Sequence, residues 1–102
     1  MSERAADSRA GVVAVAGEAL MDFVPAGGDG LFRAAPGGSP ANVAVGLARQ
    51  EVPARLLARI ADDLLGHRLR SHLEENGVDL SFAVRAAEPT SLAIVAVGRD
   101  GV

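Results

Sequence analysis

An α/β layered fold with a small β excursion near its start is the architecture this sequence predicts. Three observations lead there. Val12-Val13-Ala14-Val15-Ala16 is a continuous apolar run, rich in β-branched residues and closed by Gly17, the pattern of a strand buried on both faces of a parallel sheet. Two later segments carry apolar residues at helical spacing and alternate with strand-like runs, the order of an α/β layer. Between the first strand and the first helix lies a strand, a glycine-rich turn and a second strand, which makes the excursion.

Taken in order, residues 1–10 are polar (Ser2, Glu3, Arg4, Asp7, Ser8, Arg9) and read as a disordered tail, and the apolar stretch Gly11 to Ala16 is too short for a signal sequence. Ala19 to Val24 is strand-like, Pro25 stops it, Ala26 to Gly30 turns, and Leu31 to Ala34 returns as the second arm of a hairpin. Ser39 is the expected N-cap of a helix with Pro40 at its first position, and Ala41, Ala44, Val45 and Ala48 form one stripe. Arg55 to Ile60 reads as the next core strand. Leu64 to Asn76 reads as the next helix, with Leu65, Leu69, His72 and Leu73 at helical spacing and Gly77 ending it. Ser81 to Arg85 and Ser91 to Val97 are two further strands. Arg99-Asp100-Gly101 signals a turn and Val102 opens a strand without a successor, so residues 11–102 are expected to be part of a larger domain.

Thirteen acidic against ten basic residues give a net charge of -3, which leaves no electrostatic footprint for nucleic acid or an anionic membrane. The absence of cysteine excludes disulfides, Cys-ligated zinc and a thiol nucleophile, and it suits the expected cytoplasmic location. The longest uncharged apolar stretch, Ser91 to Gly98, falls far short of the ~18 to 20 residues of a spanning helix.

Two features carry chemistry. Asp22 shares a strand face with Leu20 and Val24, while Ala19, Met21 and Phe23 take the other face. Such a carboxylate either sits on an exposed face or accepts hydrogen bonds from adjacent hydroxyls of a polyol. Pro36-Gly37-Gly38-Ser39-Pro40-Ala41-Asn42 leads two glycines into a helix start, which reads either as an ordinary capped turn or as a place where a ligand approaches backbone amides and the Asn42 side chain. Other segments are quieter. Gly27-Gly28-Asp29-Gly30 lacks the Lys-Ser/Thr and helix of a phosphate loop, and no Gly-x-Gly-x-x-Gly marks a dinucleotide site. His67 and His72 stand about 140° apart around their helix and share no face for a metal. Asp62-Asp63 reads as a solvated turn carrying a helix cap before it reads as a cation ligand pair, and Glu18 as either a ligand or a loop charge.

Val12 to Pro25, followed by Phe32 to Arg49 with its Pro36-Gly37-Gly38-Ser39-Pro40-Ala41-Asn42 core, resembles the ribokinase-like (PfkB-type) carbohydrate kinases, and within them the bacterial fructokinases. The likeness continues through Leu56 to Asp63, Leu73 to Asp79 and Pro89 to Val95. The resemblance implies a three-layer α/β/α sheet with a small β-lid drawn from strands near 19–34 and 82–97. It implies transfer of the ATP γ-phosphoryl group to a sugar hydroxyl with Mg²⁺, fructose to fructose 6-phosphate before ribose, 2-keto-3-deoxygluconate or a nucleoside. By the same resemblance Asp22 holds sugar hydroxyls, Gly37, Gly38 and Asn42 line the pocket, and Thr90 lies at its rim. No catalytic or metal-binding residue is assigned, because the family's catalytic Asp, in a late Gly-Ala-Gly-Asp segment, and its ATP pocket have no counterpart in these 102 residues. The chain alone is therefore expected to be inactive, at most binding a sugar, a partner or a second copy of itself through the lid edges. Three departures concern the frame: Gln50-Glu51 stands where relatives carry Leu-Gly, Ala61 replaces a glycine, and Leu64-Leu65 replaces Pro-Phe.

Overall fold

The structure is a computed structural model that describes residues 11–95. The expected tail at 1–10, the end of the last strand at 96–97 and the turn at 99–101 lie outside the described residues. The described elements are β1 (Val13–Ala16), β2 (Leu20–Pro25), β3 (Phe32–Gly37), α1 (Ser39–Arg49), β4 (Ala54–Leu57), β5 (Arg59–Ala61), α2 (Leu64–Glu75), β6 (Val84–Ala86) and β7 (Leu92–Ile94). They form an α/β structure with three small sheets. β1 pairs with β4 in parallel, β5 pairs with β6 in parallel, and β2 lies between β3, antiparallel, and β7, parallel.

The core is built from Met21, Leu56, Leu69 and Leu73, each almost wholly buried, and from a seam of small residues that includes Ala41, Ala44, Ala54 and Ala58. Helix α1 lies on β1 and β4, where its alanines allow a close approach. α2 buries Leu69 and Leu73 and reaches β5, β2 and β3.

Five expectations are corrected. β1 forms where the apolar run lies, but Val12 and Val13 are 42% and 41% exposed. Among the described residues β1 has a strand on one edge only, and the second covering layer that a doubly buried strand needs is not among them. The expected strand 55–60 is two strands broken at Ala58: the Leu57 carbonyl accepts the Gly17 amide at 3.0 Å, and the next carbonyl, of Ala58, accepts the Val84 amide at 2.9 Å, so consecutive residues serve different sheets. Ser39 is the first helical residue rather than the N-cap; Gly38 takes that place at φ 99, where its carbonyl accepts the Asn42 amide at 2.9 Å. A side chain at Gly38 would press to 2.6 Å from the Glu18 carbonyl, so glycine is required there on both conformational and steric grounds. The strand expected at 81–85 starts only at Val84, because the Asp79 carboxylate accepts the Ser81 amide at 2.8 Å and Ala83 turns back onto Leu80. Of the two strands expected beside the hairpin, β7 joins it and β6 pairs with β5 instead.

The two helices end alike. After α1 the amides of Glu51 and Val52 donate to Ala48 and Leu47, and after α2 those of Gly77 and Val78 donate to Glu74 and Leu73. Both are Schellman closures, which place the residue after the cap in the left-handed region. Gly77 takes that position at φ 86, and Glu51 takes it at φ 63.

Candidate functional site

Asp22 occupies the middle strand of the three-stranded sheet, opposite Ala35 on β3 and Ala93 on β7. Directly opposed residues point to the same side of a sheet, so the carboxylate stands beside two methyl groups. The alternation places Met21 on the opposite side, where it is 1% exposed and faces α2 together with Ala34 and Pro36. Asp22 is half-buried, and its carboxylate meets no hydrogen-bonding partner among the described residues. A side chain at Gly37 would overlap that carboxylate. β3 thus brings a bare backbone against Asp22 and runs through Gly38 directly into α1, whose fourth residue is Asn42. Asn42 is exposed, so its amide is free to meet a ligand approaching the helix start.

Glu18 and Ala19, which Gly38 abuts, form one wall of a cleft of about 400 Å³. Arg59, Glu88, Thr90 and Ser91 lie on its other walls, and Arg59 donates to the Glu88 carboxylate at 3.1 Å. The ion pair and a backbone hydrogen bond hold the Glu88 carboxyl below its usual range, the backbone contribution being the larger. Gly17 reaches the same cleft and packs so tightly on the Pro40 ring that a side chain there would overlap it, which locks the β1–β2 turn to the start of α1.

Thr90 is engaged from behind. Its hydroxyl donates to Oδ1 of Asp63 at 2.5 Å and its amide to Oδ2 at 2.9 Å, while the Gly66 amide donates to the same Oδ1 at 2.7 Å. These donors, the Thr90 hydroxyl first, hold the Asp63 carboxyl below the ordinary carboxylate range. Beside it, Asp62 accepts from His67 at 2.7 Å and faces Arg85 at 3.4 Å; the His67 hydrogen bond first, and then the Arg85 charge, hold its carboxyl below the ordinary carboxylate range. Among the described residues no three His, Asp or Glu side chains gather as a metal site, and no helix is long and apolar enough to cross a membrane.

The structure therefore brings Asp22, Gly37, Gly38 and Asn42 together at the β2, β3 and α1 corner, and sets Thr90 in the adjoining cleft across residues 17–19. Sequence reasoning identified Asp63 as a helix cap, which it is, but missed its grip on Thr90 and the Arg59–Glu88 pair. The cap was visible as Asp three residues before Gly66; the partners 27 and 29 residues away leave no local signal.

Residues 12–102 match the pfkB family carbohydrate kinases. The chain belongs to that family. Among its pfkB relatives, the fructokinase of Klebsiella pneumoniae is 37% identical over 92 residues, covering 89% of this chain and 30% of the relative. The fructokinase of Xylella fastidiosa, solved with bound ATP, superposes with a TM-score of 0.80 at 34% identity, over 83% of this chain and 27% of that one. The aminoimidazole riboside kinase of Salmonella enterica, solved with aminoimidazole riboside and an ATP analogue, superposes at 0.77 with 34% identity, over 83% and 29%. The chain thus spans under a third of the length of these pfkB kinases, and the likeness shows its sheets and helices to be part of the ribokinase-like fold.

Proposed function

We propose that these residues form the sugar-holding part of a kinase that transfers the γ-phosphoryl group of ATP to a sugar hydroxyl, with fructose as acceptor and fructose 6-phosphate as product. The observation that carries this reading is the Asp22 carboxylate, half-buried without a protein partner among the described residues, flanked by Ala35, Ala93 and the bare backbone of Gly37. An ionised carboxylate has about four lone-pair sites and takes two adjacent hydroxyls at once. Gly37 and Gly38 leave room for a sugar ring at the backbone, Asn42 adds a donor and an acceptor, and Thr90 borders the adjoining cleft. Kinship with fructokinases favours fructose; the similar superposition on a riboside kinase supports a riboside as the second acceptor to test.

ATP and Mg²⁺ belong to the proposal through the family, and no residue of this chain is assigned to either. Phosphoryl transfer needs positioning and charge stabilisation at the transferred group, and the Gly-Ala-Gly-Asp segment that supplies the base is not in these 102 residues. By themselves they bind a sugar and do not phosphorylate it. A cytoplasmic setting and pairing of two copies along the edges of the three-stranded sheet complete the proposal. Titration of the ¹⁵N-labelled chain with fructose and with a riboside tests the site: fructose is expected to move the Asp22, Gly37 and Asn42 amide signals, and Asp22→Asn to abolish the response. Unchanged signals with both ligands would remove the sugar reading, and fructose-dependent ADP release well above background would remove the inactivity.

A further inference from the structure

Among the described residues the three-stranded sheet shares no strand ladder with the other two sheets, so beyond the packing of Met21 in the core its position depends on three places where the chain crosses to it. Two crossings pass through glycines with positive φ, Gly17 at 148 and Gly38 at 99. The third, leading from β6 to β7, is held differently: Asp63 takes the Thr90 hydroxyl at 2.5 Å and the Thr90 amide at 2.9 Å. The holding end is firm, because Asp63 caps α2, which buries Leu69 and Leu73 in the core. Beyond Thr90, the Ser91 carbonyl accepts the Met21 amide at 3.0 Å, and β7 then runs along β2 with Ala93 opposite Asp22. Hydrogen bonds to an ionised acceptor are roughly twice as strong as neutral ones, so this crossing is the stiffest of the three.

We infer that Asp63 is a positioning residue: by clasping Thr90 it fixes where β7 lies along β2, and through β2 where the Asp22 carboxylate stands. The link to ligand binding rests on the sugar reading of Asp22; the mechanical link does not. Gly66 is part of the device, because a side chain there would overlap the Ala61 carbonyl and the Gly66 amide is the other donor on Asp63.

Two substitutions separate the clasp from the cap. Asp63→Asn keeps an oxygen for Gly66, Asn being as good an N-cap as Asp, but turns a donor towards the Thr90 amide. Thr90→Val deletes the hydroxyl, keeps the branched shape and leaves the cap untouched. Amide exchange on the ¹⁵N-labelled full chain is expected to be roughly tenfold faster at Met21 in both variants, with Leu73 unchanged. Thr90→Ser, which retains the hydroxyl, is expected to restore the original rate. An acid titration adds a signature that a purely structural cap would not give: the Thr90 amide signal follows Asp63 ionisation in the parent and not in Asp63→Asn. Fructose affinity is expected to fall at least about fivefold in both variants. Unchanged Met21 exchange in Thr90→Val overturns the inference, as does faster exchange with unchanged fructose affinity. A parent chain that binds no fructose removes the sugar reading alone, and the Met21 exchange then decides the clasp.

Discussion

Replacing Glu51 by glycine is expected to stabilise this protein, although it deletes a side chain and adds no contact. Glu51 holds φ 63 because the Schellman closure of α1 demands a left-handed residue there, and the same closure after α2 uses Gly77 at φ 86. A left-handed conformation strains an L-residue by about 1 to 2 kcal/mol, and glycine relieves it. Against that, glycine gives up about 0.5 to 1 kcal/mol more backbone entropy on folding than a residue with a side chain. Removing a negative charge from the negative end of the helix dipole returns about 0.3 kcal/mol or more. The net is a gain of about 1 kcal/mol, or a rise in Tm of about 4 to 8 °C for a domain of this size. Urea and thermal melts of the chain measure it. Glu51→Ala separates charge from conformation and should recover only the small electrostatic part. Gly77→Ala is the mirror experiment: its new methyl group would meet the Ala48 Cβ at an ordinary 3.7 Å, so the loss expected there, about 1 kcal/mol, is conformational. A Glu51→Gly chain no more stable than the parent, alongside a destabilised Gly77→Ala, would refute this reasoning.

Three further outcomes follow from the structure. The Ser81 amide, then the Ser81 hydroxyl and Arg55, lower the Asp79 carboxyl from 3.8 to about 2. Because the folded value is the depressed one, its contribution is present above pH 3.8 and is lost as the pH falls through about 2; melts across that window should show a loss that Asp79→Asn does not. Gly37→Ala places a methyl group in the Asp22 carboxylate and is expected to abolish the fructose response while helical circular dichroism is kept; full fructose binding by that variant would contradict the pocket. Leu56→Ala, at a fully buried position on β4, should cost about 2 to 5 kcal/mol in urea melts.

Much of this was readable from residue pattern, and the exceptions share a cause. Helical stripes and their glycine or aspartate ends placed α1 and α2 within a residue or two, and Pro25 with the glycines after it marked the hairpin. The division of 54–61 into two strands left no trace, because Leu56, Ala58 and Ile60 are all buried and keep the period of two straight through the break. What changes at Ala58 is the partner of a carbonyl, which side-chain pattern does not encode. Gly38 as the true cap was hidden for a related reason: a serine before a proline is an attractive cap, and the close approach of the remote β1–β2 turn at Glu18, which only a glycine at 38 permits, is not visible in the local pattern. The Asp22 face followed from simple alternation, and resemblance to kinases added its meaning. The hold of Asp63 on Thr90 is a contact between remote segments and had no local signature.

The alanine seam under α1 has a consequence for how such a pocket can change. Ala41, Ala44, Ala54 and Ala58 have no side-chain rotamers, so the seat of the helix has one height and no means of adjusting it. Ala44 is fully buried, and one extra methylene there would have to lift the helix bodily. Asn42 and the Gly37–Gly38 corner adjoin the start of that helix, so enlarging the seam would carry these proposed sugar-holding groups in one direction together. In the proposed sugar pocket, selectivity would then be tuned most easily from the strand and cleft side, at Glu18 or around Thr90, while the floor stays rigid.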